Sequence, residues 1–306
     1  MQDDAHKALK EIPVLADYDG PVERLGGLTN QVYRAGDVVL RLAGQGTEEY
    51  INRADEKVAA EETARVGVSP EVLFVAPESG VMVTRFVAGA TTMSPDTFRT
   101  IPGAVRRAGE AFRALHTSDA AFATRFDLFG MIDEYLSVLS NKDVALPEGY
   151  HDVVAQAEAI RPRLEAAAPA PVACHCDPLC ENFLDTGTRM WIVDWEYAGM
   201  NDPMWDLGDL SVEGGFDAAQ DEELLEAYFN GPAPSGDRGR MVVNKAMCDL
   251  LWTLWGLIQV ANKNPAEDFT AYAEERFARC KALMESAEFA DHVAAMGQAP
   301  GELTPG

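Results

Sequence analysis

The stretch His175-Cys176-Asp177-Pro178-Leu179-Cys180-Glu181-Asn182, followed shortly by Val193-Asp194-Trp195-Glu196, constrains this chain more than any other feature. Asn182-Phe183-Leu184 and Arg189-Met190-Trp191-Ile192-Val193 are short apolar runs, and Asp185-Thr186-Gly187-Thr188 between them has turn chemistry. A hairpin folded about Thr186 and Gly187 brings the Asn182 end back beside Ile192. Asn182 and Asp194 then leave the same end of two paired strands, so two oxygen ligands distant in sequence face one point. An ordinary surface hairpin with incidental acidic ends would explain part of this, and a lone H-x-D is common by chance. The full H-x-D-x-x-x-x-N spacing with a hairpin and a second Asp is far more specific.

Composition narrows the class. The chain has 306 residues, enough for two lobes around a cleft, and its 47% hydrophobic and 25% charged residues are ordinary for a globular protein. A net charge of −25 argues against nucleic acid as a partner and is read as a solvated acidic surface, with a salty habitat as an equal alternative source. The acidic N-terminus has no signal-peptide apolar region, and the longest apolar run, Leu250 to Ile258, is too short to span a bilayer. A cytoplasmic location with no membrane partner is expected. Cys176 and Cys180 have an acceptable zinc-ligand spacing, but no second ligand pair follows, so reduced thiols packed under a loop are expected instead.

The chain divides near residue 88. Leu25 to Phe86 is strand-rich: Gln31–Arg34 and Val38–Leu42 flank the hairpin signal Gly36-Asp37, and Val72–Val75 and Val81–Phe86 flank Pro77 and Gly80. Asn52 to Val66 reads as a helix ended by Gly67 and Pro70. This predicts an α+β fold of two lobes, with a small antiparallel sheet and one helix in residues 1–88. Residues 89–298 form a larger, mostly helical lobe, and 299–306 a tail without fixed structure. Helices are expected where Val105, Ala108, Phe112 and Leu115 recur, and over Met131–Leu139, Asp152–Leu164, Glu222–Phe229, Val242–Val260 and Ala266–Met284.

The loop spacing is that of kinase catalytic loops followed by a metal-binding Asp. Beyond it, the chain resembles the choline/ethanolamine kinase family within the wider aminoglycoside-phosphotransferase and protein-kinase-like fold. Val39-Leu40-Arg41-Leu42 and Ile51-Asn52-Arg53-Ala54-Asp55-Glu56 resemble its small lobe. His175 to Leu184, Ile192 to Gly199, and Asn201-Asp202-Pro203-Met204-Trp205-Asp206-Leu207 with Glu213 resemble its catalytic core. Leu251 to Gln259 and Phe269 to Phe277 resemble its C-terminal signature, and the paired Trp252 and Trp255 narrow the match most.

The resemblance implies ATP and Mg²⁺ as cofactors and a small-molecule amino alcohol as substrate. Asp177 is implied as the acceptor of the substrate hydroxyl proton, and Asn182 and Asp194 as the Mg²⁺ ligands. Arg41 stands where protein kinases place a Lys, held by Glu56, with Glu61 and Glu62 as nearby competitors for that role. Gly26, Gly27, Thr29 and Asn30 are implied over the phosphates, and Thr84 and Phe86 at the adenine. His175 and Asp206 are implied as loop braces. Tyr197, Trp252, Trp255 and Tyr272 resemble aromatic walls around a quaternary ammonium, with Glu196 and Glu213 adding negative charge. Plain core packing is what the tryptophans would mean without the resemblance. The implied reaction is phosphorylation of the choline hydroxyl. Ethanolamine, thiamine or an aminoglycoside is the nearest rival substrate, and a catalytically inactive nucleotide-binding module the rival class. Oligomeric state is left open.

Overall fold

Residues 9–26, 30–44, 51–298, 300 and 301 are described by the computed structural model. The expectations for Gly27 and Thr29 lie outside them.

Alternation of side chains across the pleat builds the first lobe. Strands β1 (Val22–Gly26), β2 (Gln31–Ala35), β3 (Val38–Leu42), β4 (Val72–Ala76) and β5 (Val81–Arg85) form one antiparallel sheet in the order β1-β2-β3-β5-β4. Tyr33, Ala35, Val38, Leu40 and Val83 turn to one face and pack with Leu9, Ile12 and Leu15. Because successive residues point to opposite faces, Arg41 is turned away from this cluster. It meets helix α1 (Arg53–Arg65) instead. Asn52 caps α1 by accepting from the Ala54 and Asp55 amides. The buried stripe on α1 is Glu56, Ala59, Ala60 and Thr63, which is helical periodicity with a carboxylate at its head. Glu61 and Glu62 fall outside that stripe.

The second lobe begins after Gly89, with β6 (Thr91–Thr92), α2 (Pro95–Thr100), α3 (Ala104–His116), α4 (Leu128–Leu139), α5 (Tyr150–Ala167) and β7 (Val172–Cys174). The expected hairpin follows a short 3₁₀ turn at Cys180–Asn182. Its strands are β8 (Phe183–Asp185) and β9 (Met190–Ile192), with Phe183 opposite Ile192. Asp185 belongs to the strand rather than the turn, and its carboxylate pairs with Arg107. Strand β10 (Gly199–Asn201) pairs with β7. Helices α6 (Pro203–Gly214), α7 (Ala218–Phe229), α8 (Ser235–Ala261), α9 (Phe269–Met284) and α10 (Phe289–Ala295) complete the lobe. Ala59, Ala60, Val68 and Met82 from the first lobe share a buried cluster with Phe112, Phe183, Ile192 and Trp195.

Several helix starts lie upstream of their periodic signal, because polar caps precede the apolar stripe. Asp127 caps α4, and Asp217 with Gln220 forms a capping box on α7. Helix α8 begins at Ser235 rather than Val242, since Asp237 and Arg240 enter the interior, where Arg240 pairs with both Asp237 and Asp202. In α9 the start moves the other way, to Phe269 after the cap Asp268. By length and composition α8 resembles a membrane span, but 78% of its most apolar window is buried inside the fold. It is the core helix of the second lobe. Of the tail, Gly301 donates to Asp237 at 2.7 Å.

Candidate active site

Helix α6 organises the loop that carries Asp177. Asp202 caps it, Pro203 opens it, and Gly215 closes it in the left-handed region. Its first turn presents Asp206, fully buried, to the loop. The Asp206 carboxyl accepts the His175 amide at 2.7 Å and the Cys176 amide at 2.8 Å, and His116 Nε2 lies 3.1 Å away. Trp205 Nε1 donates to the Cys176 carbonyl at 3.1 Å. These bonds hold Cys176 at φ 67°, a left-handed conformation that a side chain disfavours.

His175 ties the two loops together. Its Nδ1 accepts from the Asp177 amide at 3.3 Å, and its Nε2 lies 2.9 Å from the Val193 carbonyl. One nitrogen accepts and the other donates, which is a neutral imidazole. Burial pushes its pKa below the usual value in the same sense. Both braces expected from the sequence, His175 and Asp206, are in place.

Asp194 follows β9 at φ 68°, also left-handed. The Val193 amide donates to the Asn182 carbonyl at 2.9 Å, so the hairpin register continues to the base of Asp194. Asn182 Nδ2 donates to the Asp177 carbonyl at 3.1 Å, which leaves the amide oxygen as its remaining ligand atom. Asp194, Glu196 and Glu56 bring one carboxylate oxygen each within 4.8 Å of one another. Both Glu56 oxygens are taken by Arg41 and Arg53, so the hard oxygen donors that suit Mg²⁺ in kind are the Asp194 carboxylate and the Asn182 amide oxygen. The neighbouring thiols do not compete: burial pushes Cys174 and Cys176 well above the ordinary thiol range, so they stay protonated.

Arg41 and Glu56 meet as expected, with Arg41 Nη2 donating to Glu56 Oε2 at 2.9 Å and Nη1 also bonding the carboxylate. Arg41 also reaches Asp194 at 3.4 Å. A residue the sequence reading missed joins them. Arg53 donates to Glu56 at 2.8 Å and to Glu196 at 3.2 Å. Its signal was available, since it stands three residues before Glu56 on the same helix.

Glu196 was expected beside the substrate but is turned to the small lobe. It accepts from Asn30 at 3.1 Å and from Arg53. Burial and the adjacent Asp194 raise its pKa to about 7. Trp195 is buried, its indole N–H bonded to Ser69, and Tyr197 packs against Trp252 of α8. A cavity of about 540 Å³ passes Glu56, Glu196, Tyr197, Phe126 and Tyr135 between α1 and α4. Thr84 lies in β5, and the Phe86 ring is covered by Arg34 at 4.0 Å.

Tyr197, Trp252, Trp255 and Tyr272 form one edge-to-face chain. Ring centroids are 5.4 Å apart for Tyr197 and Trp252, 6.4 Å for Trp252 and Trp255, and 5.8 Å for Trp255 and Tyr272. Arg276 covers Tyr272 at 4.4 Å and bonds Glu213, so Glu213 is already paired. Asp209, also missed, is fully buried one turn before Glu213 and accepts from Trp252 Nε1 at 3.4 Å. Burial first, then Asp209, Glu213, Glu196 and Asp194, push Asp177 well above the ordinary carboxylate range. Carboxylates of the small-lobe side and those beside the aromatic chain thus act on Asp177 in the same sense.

Known proteins share this fold. The profile of the phosphotransferase enzyme family matches residues 22–241. The crystal structure of a choline/ethanolamine kinase family protein from Mesorhizobium loti is 66% identical, with a TM-score of 0.90 over 97% of this chain and 99% of that one. The choline kinase LicA from Streptococcus pneumoniae superposes with a TM-score of 0.78 at 27% identity, over 92% of this chain and all of LicA's (100%). A LicA structure in complex with AMP gives 0.75 at 25% identity, over 94% and 98%. By this match and this architecture the chain belongs to the phosphotransferase enzyme family, in its choline/ethanolamine kinase group, and is a small-molecule kinase.

Proposed function

We propose that this enzyme transfers the γ-phosphoryl group of ATP to the hydroxyl of choline. The observation that carries the reading is the placement of the Asp177 loop: Asn182 bonds the Asp177 carbonyl, His175 ties the loop to the strand end that carries Asp194, and Asp209 and Glu213 lie with Trp252 and Arg276 on the aromatic side. A phosphoryl donor and an alcohol with a large cationic head would thus meet at one carboxylate. The AMP complex and the choline kinase activity of LicA support the two halves of that reading.

In this reading residues 1–88 bind nucleotide and 89–298 supply catalysis and the substrate pocket. Arg41, held by Glu56 and Arg53, clamps phosphate oxygens, and its planar fork suits them. Gly26 and Asn30 lie over the phosphates, while Thr84 and Phe86 border the adenine. Asn182 and Asp194 would hold Mg²⁺, with Glu196 adjacent, and the ion would neutralise charge on the phosphates. Asp177 orients the hydroxyl and accepts its proton. Its raised pKa falls as cations arrive beside it, which favours the form that can act as base. Tyr197, Trp252, Trp255 and Tyr272 receive the trimethylammonium group, a weakly hydrated cation that donates no N–H bonds and suits aromatic faces. With Glu213 engaged by Arg276, a primary ammonium finds fewer free acceptors there. The enzyme works in the cytoplasm on this reading.

A panel of choline, ethanolamine, thiamine and an aminoglycoside, with ATP and Mg²⁺ and read by ADP release, tests it. Choline should give the highest kcat/KM. Turnover of another alcohol in preference to choline would reassign the substrate, and no turnover of any would remove the reading.

A further inference from the structure

The aromatic chain of Tyr197, Trp252, Trp255 and Tyr272 is short of positive charge beside it. Four carboxyl groups belong to its neighbourhood: Asp177, Asp209, Glu213 and Asp249. Among the described residues, two guanidinium groups face them. Arg276 bonds Glu213 and lies 3.3 Å from Asp249, and Arg279 donates to both Asp249 oxygens at 3.0 and 2.6 Å. Those contacts engage both cations. Asp209, fully buried on α6, meets Cys248 Sγ at 3.0 Å and Trp252 Nε1 at 3.4 Å, both uncharged partners. A buried carboxyl without a bonded cation is costly unless something arrives to compensate it. Trp252 holds this carboxyl with one edge while its ring packs against Tyr197 and Trp255, so Asp209 sits at the rim of the aromatic chain.

We infer that Asp209 is a specificity-determining residue, the counter-charge that selects a cationic substrate head against the aromatic wall. The inference rests on the proposed reading of the site and deepens it. Without a cation, burial and Glu213 raise the Asp209 pKa well above the carboxylate range, and the group is kept neutral. A positively charged head beside it restores the carboxylate and is attracted by it. A neutral molecule of the same shape gains only the packing. Asp209, Glu213 and Cys248 also bring donor atoms within 4.8 Å of each other, so a bound metal is the competing explanation. The protonated Cys248 thiol and the Glu213–Arg276 pair weigh against it.

The test compares choline with 3,3-dimethylbutan-1-ol, in which carbon replaces nitrogen, in the wild type, Asp209→Asn and the smaller, equally neutral Asp209→Ser. Melting curves establish which variants fold. The wild type should prefer choline, and each folded variant should lose about tenfold or more of that preference, through the KM for choline rather than through kcat. An unchanged preference in a folded variant overturns the inference and leaves the choline reading intact. A wild type that does not phosphorylate choline overturns both. Stoichiometric zinc in the purified wild type that Asp209→Asn loses would also overturn it, by assigning the cluster to a metal.

Discussion

Asp177 is half-buried, braced by His175 and flanked by Asn182. Removing its carboxylate without changing its shape should leave folding intact and slow turnover. Asp177→Asn is expected to lower kcat by about 10²–10⁴-fold at saturating ATP and Mg²⁺, the usual worth of a positioned proton acceptor. Unaltered kcat would remove Asp177 from that role. His175 carries a stability prediction. Its folded-state pKa lies below the unfolded value of about 6.5. The unfolded chain therefore takes up a proton that the folded chain refuses, and stability rises with pH through that window. This contribution is complete above about pH 6.5 and is lost as pH falls below it. The stability difference between wild type and His175→Gln should shrink from pH 7.5 to pH 5, and a pH-independent difference would contradict the neutral imidazole. Asp177, Asn182 and Asp194 were legible in the sequence because one loop and one hairpin bring them together. Asp209 was not, because its meaning depends on Cys248 and Trp252 from another helix.

At the scale of elements, α6 is the brace of the catalytic loop. Asp206 alone accepts two loop amides and faces His116, all of them buried. Asp206→Ala leaves those donors without partners and should destabilise the fold by about 3 kcal/mol or more, read as a lower urea midpoint. A loss below about 1 kcal/mol would show that the loop does not depend on this contact. Helix α1 has the corresponding role for Arg41. Arg53→Ala removes a bond to Glu56 and one to Glu196, and should raise the KM for ATP more than that for choline. Equal effects on both would place Arg53 outside the nucleotide side. The apolar stripe of α1 and the paired runs of the sheet were legible because periodicity is local. The early start of α8 was not, since Asp237 and Arg240 look like surface residues until Asp202 is seen to receive Arg240. The bonds of Glu196 to Asn30 and Arg53 were not legible either, since both partners come from the small lobe.

At the scale of the molecule, Arg41 to Asp194, Arg53 to Glu196 and Asn30 to Glu196 span from the small lobe to the loop after the hairpin. The residues proposed to handle phosphate and those proposed to hold the alcohol are thus fixed relative to one another, and such positioning is where the rate advantage of a phosphotransferase arises. The two-lobed α+β architecture could be read from strand-rich and helix-rich halves, and the match to known phosphotransferases agrees with it. The substrate is the central claim, and phosphorus NMR of one reaction mixture tests it most directly. With ATP, Mg²⁺ and choline, the wild type should form phosphocholine and ADP in equal amounts, and should leave ATP intact when choline is omitted. ATP consumed without a phosphocholine resonance, or a faster reaction with ethanolamine in the same assay, would contradict the account.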